Sequence, residues 1–132
     1  MPHIIIEHSK GVSAQININE LANAFHVLAK DIEALPEGGI RTRVYEADIS
    51  LIGDGKSDRN FIYITVRLGQ GRSEATRRDI GDRLFAVLTN FTKHVFDKGT
   101  PLSLGLEIQE IEKDWTWKKN NIHQILKDKS HG

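Results

Sequence analysis

Residues 61–68 read Phe-Ile-Tyr-Ile-Thr-Val-Arg-Leu, an unbroken alternation that decides how the chain folds. Because successive side chains of a strand point to opposite faces, the branched apolar residues at every second position share one face. Gly-Gln-Gly at residues 69–71 interrupts this alternation. We therefore predict a strand over residues 61–68 with one face against the core.

A long helix is predicted directly after this strand, over residues 74–97. Ser73 is a favourable N-cap. Apolar residues recur every three or four positions, at Ile80, Leu84, Val87, Leu88, Phe91 and Val95. Gly99 and Pro101 end the helix, and residues 102–109 alternate again as a strand.

The first part of the chain repeats the same order. Residues 3–8 are rich in isoleucine and predict a strand. Residues 19–35 carry an apolar stripe at helical spacing, with Asn17 or Asn19 as the cap. A second strand is predicted over residues 40–51, before a polar turn at residues 53–58.

These elements predict one α+β domain spanning residues 1–132. Its two βαβ halves cover about residues 2–58 and 59–112, and the strands within each half should be parallel. The expected architecture is a four-stranded mixed sheet with two helices on one face. The other face carries Phe61 and Tyr63, which predicts an oligomer. We expect the tail, about residues 113–132, to dock across a neighbouring subunit.

Composition excludes several classes of protein. The 18 Lys and Arg residues balance 18 Asp and Glu residues, so no overall field attracts nucleic acid or an anionic membrane. Cysteine is absent, which agrees with a cytoplasmic protein. There is no signal-peptide pattern and no apolar run of membrane-spanning length. The histidines lack a metal-binding spacing, so neither a metal nor another cofactor is expected.

The first residues, Met-Pro-His-Ile-Ile-Ile, raise two possibilities. Aminopeptidases remove a methionine that precedes proline, which would leave Pro2 as a terminal secondary amine. Burial or neighbouring guanidinium groups would lower the pKa of that amine and populate a base near pH 7. Alternatively, Pro2 only starts an edge strand, where a missing N–H does no harm.

Three arginines are candidate ligands for an anionic substrate. Arg41 and Arg43 lie two residues apart in a predicted strand and share one face, which would suit a dicarboxylate. Arg72 follows the Gly-Gln-Gly turn, where Glu74 argues against a nucleotide phosphate. These arginines could equally be solvated charges. His3 could orient a site or fill a strand position, and Trp117 could form a pocket wall or simply pack.

Five segments together resemble the 5-carboxymethyl-2-hydroxymuconate isomerase family of the tautomerase superfamily. They are Pro2-His3, Gly39-Ile40-Arg41-Thr42-Arg43-Val44, Gly69-Gln70-Gly71-Arg72-Ser73, Glu107-Ile108-Gln109-Glu110 and Lys119-Asn120-Asn121-Ile122-His123. The chain departs from the family in having Trp117 where phenylalanine is expected, and in residues 45–47, where a more aromatic stretch is expected.

The resemblance implies a cofactor-independent isomerase of homoprotocatechuate (4-hydroxyphenylacetate) breakdown. Such an enzyme converts an unsaturated 2-hydroxy di- or tricarboxylate to its 2-oxo isomer. Pro2 would be the general base, Arg41 the group that clamps a carboxylate or polarises the 2-oxo group, and Arg72 a second charge stabiliser. The resemblance also implies a homotrimer with sites near subunit boundaries. Two alternatives stay open: a tautomerase acting on another enol acid, and a non-catalytic trimeric binding module that keeps Met1.

Overall fold

A computed structural model describes residues 1–131, with side chains as far as Lys129. Its strands are β1 (His3–His8), β2 (Arg41–Glu46), β3 (Asn60–Gly69) and β4 (Leu102–Ile111). They form a mixed sheet in the order β2-β1-β3-β4. β1 is parallel to β2, β3 is parallel to β4, and β1 meets β3 antiparallel in the middle. The two parallel pairs are the predicted βαβ halves.

The helices α1 (Ile18–Asp31) and α2 (Glu74–Asp97) connect the parallel strands and pack on one face of the sheet. Asn17 and Ser73 cap them by accepting hydrogen bonds from the backbone N–H of Glu20 and Thr76. Between the helices and the sheet lie fully buried side chains. They include Ile4, Ile6, Ile62, Ile64, Val66, Leu21, Phe25, Leu84 and Leu88. Each such side chain contributes about 1.5–3 kcal/mol by leaving water. The predicted fold class is confirmed.

Two predicted boundaries are wrong. α1 ends at Asp31 and not at residue 35, because Ile32 adopts an extended backbone with ψ of 112°. Ile32 and Leu35 remain buried after the helix has stopped, so the apolar spacing continues past its end. β2 ends at Glu46 and not near residue 51. Leu51 lies in the following loop and is 83% exposed.

The tail contains a third helix, α3 (Ile122–His131), which the sequence reading did not predict. This helix packs against the short 3-10 turn Glu37–Gly39 of its own chain. Trp115 and Trp117 precede α3 and remain exposed, at 72% and 84%. Docking on a neighbouring subunit therefore stays a prediction for these tryptophans, whereas α3 lies on its own chain.

The face of the sheet opposite α1 and α2 is open. Strand register places Arg41, His3 and Arg67 side by side across β2, β1 and β3 on this face. Tyr63 lies further along it and is 37% exposed. Within the described residues, no helix is long and apolar enough to cross a membrane.

Candidate functional site

Pro2 lies buried at the start of β1, beside the edge strand β2. Its carbonyl accepts a hydrogen bond of 2.9 Å from the backbone N–H of Arg41, which extends the parallel pairing of the two strands by one residue. Met1 precedes it, so the Pro2 nitrogen is an amide here and the terminal amine belongs to Met1. The predicted base is thus held by the sheet itself and does not fray.

The turn Glu37–Gly39 packs against this terminus. A methyl group on Gly39 would lie 3.3 Å from Pro2 Cδ and 3.5 Å from Met1 Cα. The same methyl would lie 3.7 Å from His123 Cε1. A glycine at this position lets the turn, the amino terminus and the tail approach one another closely.

Arg41 follows that turn and is half-buried. Its Nη1 donates to the carbonyl oxygens of Gly38 at 3.0 Å and Ile40 at 3.3 Å. Guanidinium has five N–H donors in a fixed fork, so donors remain for a ligand. No carboxylate pairs with Arg41 among the ion pairs of the described residues.

Arg72 reaches the same region from the loop between β3 and α2. It donates from Nε and Nη2 to Ala34 O at 3.1 and 2.7 Å, and from Nη1 to Gly69 O at 2.9 Å. A methyl on Gly69 would lie 3.6 Å from the Met1 nitrogen and 3.7 Å from Arg72 Nη1, so this charge borders the amine. Arg72 therefore ties the loop to the segment after α1 and adds positive charge beside Met1.

His3 and Arg43 form a second pair on the open face of the sheet. Arg43 Nη1 lies 3.0 Å from His3 Nδ1. Since arginine can only donate, His3 Nδ1 accepts and carries no proton. Burial, followed by the charges of Arg43, Arg67, the terminal amine and Arg41, lowers the pKa of His3 below its ordinary value of 6.5.

Trp117 does not join the other predicted residues. Its side chain is 84% exposed and does not line the cavity at the terminus. The structure of one chain thus brings Pro2, Arg41 and Arg72 together, places His3 and Arg43 beside them on the open face, and leaves Trp117 apart.

The tail supplies three site residues for which the sequence reading proposed no role. Lys118, Asn120 and His123 line a cavity of about 270 Å³ together with Met1, Pro36 and Gly39. Asn120 Nδ2 donates to Gly38 O at 2.9 Å. A long stretch of chain separates these residues from Pro2, and only the resemblance over residues 119–123 drew attention to the segment.

The charges converge on the terminal amine. Burial, and then the positive charges of Lys118, Arg72 and Arg41, lower the pKa of the Met1 α-amino group below its usual value of 8.0. The same arrangement attracts a negatively charged ligand. The position next to Pro2 therefore favours a neutral amine and an anionic partner at once.

A larger groove of about 480 Å³ between α2 and β4 has no excess of positive charge among its lining residues. Glu74 and Asp82 line it together with Arg77 and Arg78, and Arg77 is paired with Glu110 at 3.0 Å. Its charges are mixed, and it lacks the residues around Pro2. As for metals, the described residues contain no group of three or more histidine or carboxylate side chains able to hold an ion.

Comparison with known proteins identifies the family of the chain. Residues 2–126 match the family model for 5-carboxymethyl-2-hydroxymuconate isomerase. The 5-carboxymethyl-2-hydroxymuconate Δ-isomerase of Escherichia coli is 28% identical over 127 residues, which is 96% of this chain and all of that protein.

Solved structures extend the comparison to the fold. A 5-carboxymethyl-2-hydroxymuconate isomerase from Deinococcus radiodurans R1 aligns with a TM-score of 0.85 at 34% identity, covering 95% of this chain and 93% of the other. A fused 4-OT, described as an asymmetric trimer, shares the fold at a TM-score of 0.63 and 14% identity, over 94% and 98% of the two chains. The predicted resemblance is confirmed: the chain belongs to the 5-carboxymethyl-2-hydroxymuconate isomerase family.

Proposed function

We propose that the protein is an isomerase that converts 5-carboxymethyl-2-hydroxymuconate, a 2-hydroxydienoate, to its 2-oxo-enoate isomer, with Pro2 as general base. The observation that carries this proposal is the position of Pro2. It is buried in the sheet next to Arg41, and positive charges lie near the amine of Met1, the residue that precedes it. Family membership supports the reaction class.

The reaction moves one proton. After removal of Met1, the neutral Pro2 nitrogen takes the proton of the 2-hydroxyl group and becomes a secondary ammonium. Electrons of the O–H bond form the C=O bond, the double bond shifts along the chain, and the ammonium returns its proton to a carbon of the conjugated system. No electron is gained or lost, and no co-reactant is consumed.

Arg41 and Arg72 stabilise the charge that develops. Negative charge builds on the 2-oxygen while the proton is on Pro2, and fixed guanidinium donors lower the energy of that state. Arg41 is the better placed of the two, because it follows the turn against Pro2 and its remaining donors are available. Arg72 contributes chiefly through charge, since three of its donors are bound to carbonyl oxygens.

Removal of Met1 also makes room. Met1 lines the cavity beside Pro2, and its Cα lies close to Gly39. Without it, the space it fills becomes part of the cavity, and the positive charges that surround its amine face the substrate instead. The proposal therefore requires a processed amino terminus.

The remaining parts of the proposal concern assembly and context. We propose a homotrimer, supported by the open sheet face and the exposed Trp115 and Trp117. Within a trimer, Trp117 can complete the wall of a neighbouring subunit's site. A place in homoprotocatechuate breakdown is proposed from the resemblance, and a cytoplasmic location agrees with the absence of cysteine.

A Pro2→Ala variant tests the function. Ketonisation of 5-carboxymethyl-2-hydroxymuconate is followed by absorbance for both proteins, and intact-mass measurement establishes that each has lost Met1. We expect the variant to lose about 10²–10⁴-fold in kcat, the usual contribution of a positioned general base. Full activity in the variant, or full activity of a protein that keeps Met1, would overturn the role of Pro2. Assaying phenylpyruvate in parallel separates this isomerase from a tautomerase of other enol acids.

A further inference from the structure

A segment of the tail, residues 118–123, contributes Lys118, Asn120 and His123 to the lining of the cavity at Met1. We refer to it as the strap. It packs against the turn Glu37–Gly39 through contacts with Gly38 and Gly39, and it leads into α3. The role that we infer for the strap rests on the proposed function.

Asn120 fixes the strap at both ends of its side chain. Nδ2 donates to Gly38 O at 2.9 Å, and Oδ1 accepts from the backbone N–H of Ile122, the first residue of α3, at 2.6 Å. Behind it, a methyl on Gly38 would collide with His123, at 2.6 Å from Nδ1 and 2.9 Å from the backbone nitrogen. The strap is therefore seated directly on the turn and holds a defined position.

Lys118 stands at the start of this anchored segment and lines the cavity. Its side chain is exposed, and in the described part of the chain none of the ion pairs involves it. By contrast, Arg72 commits three donors to carbonyl oxygens and Arg41 commits one Nη to two of them. The ammonium of Lys118 can turn all three of its N–H groups to a ligand.

We propose that Lys118 binds a second carboxylate of the substrate, so that the strap selects substrates with more than one carboxylate. Arg41, which follows the turn against Pro2, serves the 2-oxygen and the carboxylate next to it, and Lys118, which lines the cavity beside Met1, meets another carboxylate. A flexible ammonium suits this task, because it can follow a carboxylate whose distance from the enol differs between substrates.

The test compares Lys118→Gln with Lys119→Gln. Lys119 is the adjacent lysine, is also exposed, and does not line the cavity, so it controls for the loss of one positive charge in the tail. Kinetics are measured with 5-carboxymethyl-2-hydroxymuconate and with phenylpyruvate, which has a single carboxylate. Binding of the unreactive propane-1,2,3-tricarboxylate is measured by calorimetry.

For Lys118→Gln we expect the KM for the muconate and the Kd for the tricarboxylate to rise about tenfold. This is the effect of losing one charge-assisted hydrogen bond, reduced because the side chain is exposed to solvent. The ratio of kcat/KM for the muconate to that for phenylpyruvate should fall by a similar factor. Lys118→Arg should restore most of the binding, and Lys119→Gln should behave as the wild type.

The inference would be overturned if the two glutamine variants had the same KM and Kd values. It would also be overturned if Lys118→Gln lost kcat/KM by the same factor for the muconate and for phenylpyruvate. The calorimetric arm separates it from the proposed function. Suppose that the wild-type protein shows no isomerase activity, and that of the two glutamine variants only Lys118→Gln binds the tricarboxylate more weakly. The proposed function is then wrong, whereas the role of Lys118 in binding a carboxylate stands.

Discussion

Arg41 and Asn120 donate hydrogen bonds to the same oxygen, the carbonyl of Gly38, from 3.0 and 2.9 Å. A carbonyl oxygen has two lone pairs, so both bonds can form together. The arginine proposed to stabilise charge and the residue that seats the strap thus share one anchor. A change in the position of the strap should therefore alter the position of the Arg41 guanidinium.

Replacement of Asn120 by alanine tests this dependence. The variant loses the bond to Gly38 and the bond to the first backbone N–H of α3, each worth about 1 kcal/mol. We expect kcat/KM to fall about tenfold, with faster hydrogen exchange of the amides in α3. Asn121→Ala is the matched control, since no side-chain hydrogen bond of Asn121 contributes to the anchor. If exchange in α3 rises while the kinetics stay at the wild-type level, the strap does not position Arg41.

Gly38→Ala should release α3 by steric conflict. Its new methyl would meet the backbone of His123 at 2.9–3.0 Å, and backbone cannot rotate away as a side-chain end can. We expect a loss of about 1–3 kcal/mol in the free energy of unfolding, measured with urea, and rapid proteolysis before α3.

Gly81→Ala is the comparison for that variant. Its methyl would come closest to Ile108 Cδ1, the end of a flexible side chain, at 3.2 Å, and alanine is favoured over glycine within a helix by about 1 kcal/mol. This second variant should be neutral or stabilised. Equal stability of the two variants would show that α3 is not seated on Gly38 in solution.

His3 predicts a pH dependence of stability. Because its pKa is lowered in the folded chain, the folded state binds fewer protons than the unfolded state. The contribution of neutral His3 to the free energy of unfolding is fully present above pH 6.5, and it is lost as the pH falls below 6.5 towards the folded-state pKa. Unfolding by urea between pH 7 and 5 should therefore show a steeper loss for the wild type than for His3→Gln.

Arg43→Gln provides the matched variant for His3. It removes the largest of the charges that lower this pKa, so His3 should titrate at higher pH than in the wild type. NMR of the imidazole protons measures both values directly. A wild-type His3 that titrates at or above 6.5 would contradict the charged surroundings described for the open face.

The loop after β2 should take part in the interface of the proposed trimer. Ile49 and Leu51 are 85% and 83% exposed, which is unusual for branched apolar side chains on an isolated subunit. Leu51→Asp should shift the mass measured by analytical ultracentrifugation from trimer towards monomer. Val27→Asp, at a half-exposed apolar position on α1, should leave the mass unchanged. A trimeric Leu51→Asp would place the interface elsewhere.

Much of the fold could be predicted from the sequence because its signals are local. The alternation over residues 61–68 and the apolar spacing of α2 each follow from contacts between one element and one core face. The end of α1 could not be predicted, since Ile32 and Leu35 stay in the core after the backbone has left the helix. α3 was missed because its apolar residues, such as Ile125 at 46% exposure, are few and only partly covered.

The candidate site divides in the same way. Arg41 and Arg43 could be placed on one face because strand neighbours two apart share it. Lys118, Asn120 and His123 could not be assigned to Pro2, because their approach depends on how the tail crosses the turn Glu37–Gly39. Trp117, chosen from its residue type, lies away from the cavity within one chain. These positions are determined by tertiary packing, which local sequence patterns do not predict.

The antiparallel contact of β1 with β3 has a consequence for the number of sites. It relates the two βαβ halves by an approximate twofold axis through the middle of the sheet, so each half begins at an opposite end. At the second beginning, Asn60 is held by Ser9 through a bond of 2.8 Å, and its nitrogen is bound in a peptide. The architecture is duplicated, but only the first beginning has a proline that removal of Met1 would turn into a terminal amine. The proposed proton-transfer centre therefore occurs once in each protomer, and the proposed trimer would have three sites and not six.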